Sequence, residues 1–179
     1  EITAHLRARG LDQNSIVIFA SDNGGYIGVD RKSGQDVPVT DNHPLRSGKG
    51  SCYEGGLRVP LIVKWARNVA PPADSSAQEL ARLIDVAPTL IGVAGAAVPD
   101  SMQGIDLRSA AGSRAEKDRQ VFAEEDHEGN VLWALRTQTL KLIHANAGNP
   151  RGLPERELFA IDRDPDERAP LDLASEAEV

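Results

Sequence analysis

Two clusters hold the residues able to do chemistry: Ser21-Asp22-Asn23-Gly24-Gly25, and the block Pro44 to Pro60, within which Lys49 stands between Gly48 and Gly50. The Asp22 carboxylate and the Asn23 amide are successive hard oxygen donors, suited to a divalent cation such as calcium or magnesium. Calcium takes about six to eight oxygens, so further ligands must come from elsewhere. Asp-Asn-Gly also fits a plain hairpin turn, because Asn and Gly tolerate positive φ. Against that turn, the preceding run is continuously apolar and Tyr26 to Asp30 makes a poor returning strand.

Lys49, with no side chains beside it, leaves its ammonium open to an oxyanion; the same setting also fits a solvated loop lysine. The block is not a nucleotide-binding P-loop, which needs Gly where His43 stands and Ser or Thr where Gly50 stands. Glu54 and Arg58 lie four apart around Gly55-Gly56, a spacing that lets them pair and brace the turn. His43, in the same basic loop, is either a general acid reaching a leaving-group oxygen or an exposed loop histidine.

Elements of α/β type must position these groups. Ile2, Leu6 and Leu11 share a helical face, and Gly10 is a stop signal. Ser15 to Ala20 is apolar and β-branched, which predicts a strand buried on both faces in a parallel sheet. Asp22 then follows its C-terminal end, where open α/β sheets bind ligands. Tyr26 to Pro44 is read as a long loop, Val59 to Trp65 as the next strand, Pro71 to Ser76 as a connector, and Gln78 to Ala94 as a helix kinked or split at Pro88.

Beyond a stretch of small residues and turns, four short runs predict an antiparallel sheet: Val121–Ala123, Val131–Arg136, Leu140–His144 and Glu157–Ile161. The boundary is placed near residue 110, giving an α/β part at 1–110 and a small α+β subdomain at 111–179 whose acidic tail forms a final helix. Trp65 and Trp133 are expected in the core, and Glu124 to Glu128 as a solvated turn. His5 and His144 carry no signal.

Lys and Arg number 20 against 27 Asp and Glu, a net charge of −7, which argues against a general nucleic-acid binder. Charge is uneven: residues 31–67 carry seven basic against three acidic groups, residues 151–179 four against nine. A basic segment in an acidic protein suits a small anionic substrate. One cysteine, Cys52, excludes an internal disulfide. No apolar run reaches the roughly 20 residues that span a bilayer.

Together the clusters resemble the sulfatase family, within the alkaline-phosphatase-like superfamily. The family's Ser-Asp-Asn-Gly-Gly after a strand, its Pro-Leu-Arg-x-Gly-Lys-Gly block and its Tyr-Glu-Gly-Gly-x-Arg-Val-Pro turn stand here almost unbroken. Ile84 to Leu90, Gln103 to Leu107, Ala134 to Thr137 with Lys141 to Ile143, and Glu157 to Phe159 with Asp164 to Glu167 continue the likeness. The resemblance implies an alkaline-phosphatase-like parallel-sheet domain followed by the antiparallel subdomain, with Asp22 and Asn23 as two ligands of one divalent cation, usually calcium, and Lys49 on the sulfate of a small sulfate ester.

It also implies a formylglycine nucleophile, made from Cys or Ser in a Cys/Ser-x-Pro-x-Arg motif. That motif is absent from the 179 residues, and Cys52, followed by Tyr53-Glu54-Gly55, does not supply it. The chain is therefore expected to be the C-terminal part of a sulfatase and inactive alone; sulfatases are often exported, to the periplasm or beyond the cell. Two alternatives stay open: a phosphonate or phosphate ester hydrolase of the same superfamily, and a non-catalytic module that keeps the fold.

Overall fold

The structure, a computed structural model, describes residues 1–28, 38–69, 80–110 and 119–173. The chain forms two compact units, one of Glu1–Ser21 with Pro60–Lys117 and one of Asp22–Val59 with Asp118–Val179. The expected connector at 71–76, residues 29–37 of the expected loop and most of the expected tail lie outside the described residues, as do residues 111–118 at the expected boundary.

In the first unit, α1 (Ile2–Ala8) ends at Arg9 and Gly10 takes φ 67°, the left-handed turn that stops a helix cheaply only at glycine. Strand β1 (Val17–Ala20) pairs with β2 (Leu61–Lys64), Phe19 opposite Ile62. The pair is antiparallel, not the parallel neighbour that the apolar run predicts, and the face that carries Phe19 and Ile62 is open, each 61% exposed. Hydropathy reports a preference for burial; direction is set by which strand lies alongside.

The expected long helix is shorter. A 3-10 turn, Leu83–Asp85, runs into α3 (Val86–Val93), and Leu80 to Arg82 precede it outside any helix. Pro88 causes no break because it is the third residue of α3, in the first turn, where backbone N–H groups have no helical partner. Buried Asp85 sets that start. Its carboxylate accepts from Arg82 N at 2.7 Å and Ile105 N at 3.0 Å, and its carbonyl accepts from Thr89 Oγ1 at 2.6 Å. A further single turn, α4 (Leu107–Ala110), forms where turns alone were expected.

The second unit holds one more helical turn, α2 (Glu54–Leu57), and a four-stranded meander: β3 (Val121–His127), β4 (Asn130–Arg136), β5 (Leu140–Ala145) and β6 (Arg156–Ala160), ordered β3-β4-β5-β6 and antiparallel throughout as expected. Glu128 and Gly129 both take positive φ, 53° and 77°, the two-residue turn that matches strand twist. The acidic run is therefore mostly strand: Glu124, Glu125, Asp126 and His127 belong to β3, and only Glu128 is in the turn.

One face of the meander forms the core. Leu132, Ala134, Ile143, Ala145, Phe159 and Ile161 pack there with Cys52 and Tyr53, and the Tyr53 and Phe159 rings meet edge to face at 6.4 Å. Trp133 is not part of it. It alternates to the other face, 37% exposed, and stacks on the His144 ring at 4.7 Å; Trp65 is half-buried.

Candidate functional site

The two clusters of the sequence meet within the second unit, and glycines make the meeting possible. Gly24 N donates to Gly56 O at 2.8 Å, and Lys49 N donates to Gly25 O at 3.1 Å. A Cβ on Gly24 would lie 1.7 Å from the Gly55 carbonyl oxygen, and one on Gly48 would lie 2.3 Å from Gly25 O. Backbones this close exclude every side chain. Asn42 adds a polar staple: its side chain accepts from Gly25 N at 3.1 Å and donates to Gly25 O at 2.8 Å and Ser47 O at 3.1 Å.

Asp22 and Lys49 are exposed; Lys49 makes one of these backbone contacts itself, and Asp22 lies two residues before Gly24. Asp22 Oδ1 accepts from Asn23 N at 3.1 Å, and Asn23 Nδ2 donates to Gly24 O at 2.8 Å, which orients the amide. A carboxylate and an amide carrying hard oxygens fit a divalent cation. No group of three or more His, Cys, Asp or Glu that could hold a metal occurs among the described residues.

His43 is exposed, its N donating to Asp41 Oδ1 at 2.8 Å, and the His43–Pro44 peptide is cis. It borders an open cleft of about 570 Å³ together with Arg46, Glu157, Asp166 and Arg168.

Glu54 does not brace Arg58. Arg58 is exposed and meets Glu54 only through the backbone, its N donating to Glu54 O at 2.8 Å. The Glu54 carboxylate instead turns into the core, where Lys141 Nζ donates to Oε1 at 3.0 Å and Arg136 Nε lies 3.5 Å away. The same ammonium pairs with Glu167 Oε1 at 2.8 Å, and Glu167 Oε2 accepts from Glu54 N at 2.5 Å. All three side chains are within 2% of full burial.

A second arm lies beside the first. Arg46 sits 4.0 Å over the Tyr53 ring and donates to Glu157 Oε1 at 3.2 Å and Glu167 O at 3.0 Å, while the Tyr53 hydroxyl donates to Glu157 Oε2. Burial pushes the Tyr53 hydroxyl well above its usual range, reinforced by the Glu157 hydrogen bond. Glu167 is also held above the usual glutamate range by burial, against the pull of Lys141. Cys52 is fully buried, and desolvation pushes its thiol up to about 11. Sequence spacing gives no sign of this network, since Glu54 and Lys141 lie 87 residues apart and Glu54 and Glu167 lie 113 apart.

The sulfatase family model matches residues 1–96, just over half of the chain. A sulfatase of Formosa agariphila is 39% identical over 71% of this chain and 20% of its own length, and human arylsulfatase A is 35% identical over 74% and 25%. The chain thus spans a quarter or less of these two relatives. Its structure matches the crystal structure of Ps i-CgsB with a TM-score of 0.76 at 27% identity, over 98% of this chain and 36% of that one. A structure of BT4656 in complex with its substrate D-glucosamine-2-N,6-O-disulfate, 21% identical, shares the fold with a TM-score of 0.66 over 99% of this chain and 34% of its own. The fold is accordingly part of the α/β, alkaline-phosphatase-like fold of those structures. The chain belongs to the sulfatase family.

Proposed function

We propose that these residues supply part of the active site of a sulfate ester hydrolase: Asp22 and Asn23 hold one divalent cation, calcium as the resemblance to sulfatases implies, and Lys49 holds the sulfate. The observation that carries the reading is the joining of the two clusters through Gly24–Gly56 and Lys49–Gly25, which brings oxygen donors and an exposed ammonium to one turn system. Sulfatases generally use a metal ion and a formylglycine. When bound, the cation supplies Lewis acidity toward sulfate oxygens.

Around it, the chain's own residues hold and orient: Lys49 counters charge on the transferring group from a fixed backbone, and this preorganised charge stabilises the transition state. In this reading the nucleophile is not among these 179 residues, because the Cys/Ser-x-Pro-x-Arg motif that the resemblance implies is absent from them and Cys52 is enclosed. In the same reading, residues 1–110 belong to the catalytic α/β domain and 111–179 to a C-terminal subdomain. His43, exposed beside the basic loop, contributes at most to substrate contact. The relatives' names give no support to phosphate or phosphonate ester hydrolysis.

The test is turnover of an aryl sulfate by the full-length protein. Lys49→Ala and Asp22→Ala each lower kcat/KM by about 10²-fold or more with melting temperature unchanged, as both residues are exposed. Undiminished turnover in both variants removes them from the site.

A further inference from the structure

Lys141, Glu54 and Glu167 are more elaborate than a fold brace requires. Three ionisable side chains lie within 2% of full burial, where removal from water costs each several kcal/mol before pairing repays it. A well-packed apolar trio would be at least as stable. Glu167 in addition holds φ 57°, the left-handed region that L residues rarely occupy. A buried charge cluster with a strained member marks a place where one arrangement of the chain is enforced.

What it enforces can be followed bond by bond. Lys141, facing the core from β5, holds the Glu54 carboxylate, and Glu167 holds the Glu54 backbone N–H. Glu54 opens α2, whose Gly55 and Gly56 dock on the two site segments: Gly55 N donates to Arg46 O at 2.8 Å, and Gly56 O accepts from Gly24 N at 2.8 Å. Glu167 reaches the Lys49 loop directly as well, its carbonyl accepting from Arg46 Nη1 at 3.0 Å. One acidic residue thus grips both the turn that seats Asp22-Asn23 and the loop that carries Lys49.

We propose that the buried Lys141–Glu54–Glu167 cluster is a positioning device that sets the Asp22-Asn23 pair in register with Lys49, so that these three residues, from β5, α2 and the turns after β6, control the site without touching substrate. The proposal rests on the sulfatase reading of Asp22, Asn23 and Lys49. Its sensitivity follows from catalysis by position, in which a shift of about 1 Å costs roughly 10²-fold.

The experiment uses the full-length protein with Glu54→Gln, Lys141→Arg and Lys141→Met, with Lys49→Ala as reference. Thermal unfolding defines the folded fraction, steady-state turnover of an aryl sulfate gives kcat and KM, and calorimetry gives the affinity for inorganic sulfate with calcium present. Glu54→Gln keeps shape and Lys141 keeps Glu167, so this variant carries the test if Lys141→Met does not fold. The expected result is a fall in kcat per folded enzyme of about tenfold or more in Glu54→Gln, with weaker sulfate binding and partial recovery in Lys141→Arg relative to Lys141→Met. Unchanged kcat and sulfate affinity at a lowered melting temperature would make the cluster structural and overturn the proposal. If Lys49→Ala itself retains full turnover, the underlying sulfatase reading fails instead, and the two failures are told apart.

Discussion

Single residues in this chain take their properties from burial more than from type. Cys52 is the one cysteine and sits beside the most informative motif, yet it is fully enclosed and its thiol is pushed up to about 11 by desolvation. At pH 8 almost no thiolate forms. A disulfide-exchange reagent is therefore expected to leave the native chain unlabelled over hours and to titrate one thiol once denaturant is added; rapid native labelling would contradict the enclosed geometry. Lys141 shows the same dominance of context. Its neighbours Leu140 and Leu142 are only half-buried while the lysine has no exposure, because two carboxylates await it on the core face. Hydropathy read along β5 would turn it outward.

Elements were legible where period and turn chemistry agreed. The meander follows from short apolar runs separated by turn residues, among them Gly129, whose positive φ closes the β3–β4 hairpin; which face of Val131–Arg136 is buried was not legible, because the run is apolar at every position up to Arg136. β1 and β2 were legible as strands, but their pairing was not, since an apolar run carries no direction. Pro88 misleads in the same way: proline breaks a helix only beyond the first turn, and Asp85 starts the helix just ahead of it.

The docking of the two site segments is the element on which the site depends, and Gly24 is its tightest point. In Gly24→Ala the new Cβ falls on the Gly55 carbonyl oxygen and the segments must part. The expected outcome is a loss of about 1–3 kcal/mol in chemical denaturation together with loss of aryl sulfate turnover. A variant that melts and turns over as the parent does would show that the contact is not needed.

At the scale of the molecule, the residues that can do chemistry and those that hold them come from opposite ends of the chain. Asp22, Asn23 and Lys49 stand in an early segment, and that segment shares a compact unit with the meander of 119–173. The candidate site residues could be picked out because short motifs keep them together in sequence. The supporting charges were not, because Lys141 and Glu167 meet Glu54 only after the chain has folded, across 87 and 113 residues.

In the proposed reading one turn system presents a cation site and an anion site at once, and calcium titration of the full-length protein distinguishes the two. Calorimetry on the parent, Asp22→Ala and Lys49→Ala is expected to show calcium affinity falling about tenfold or more in Asp22→Ala and holding in Lys49→Ala. Inhibition by inorganic sulfate is expected to weaken in Lys49→Ala. Calcium affinity equal in Asp22→Ala and the parent would show that Asp22 is no metal ligand and that this turn holds no cation site.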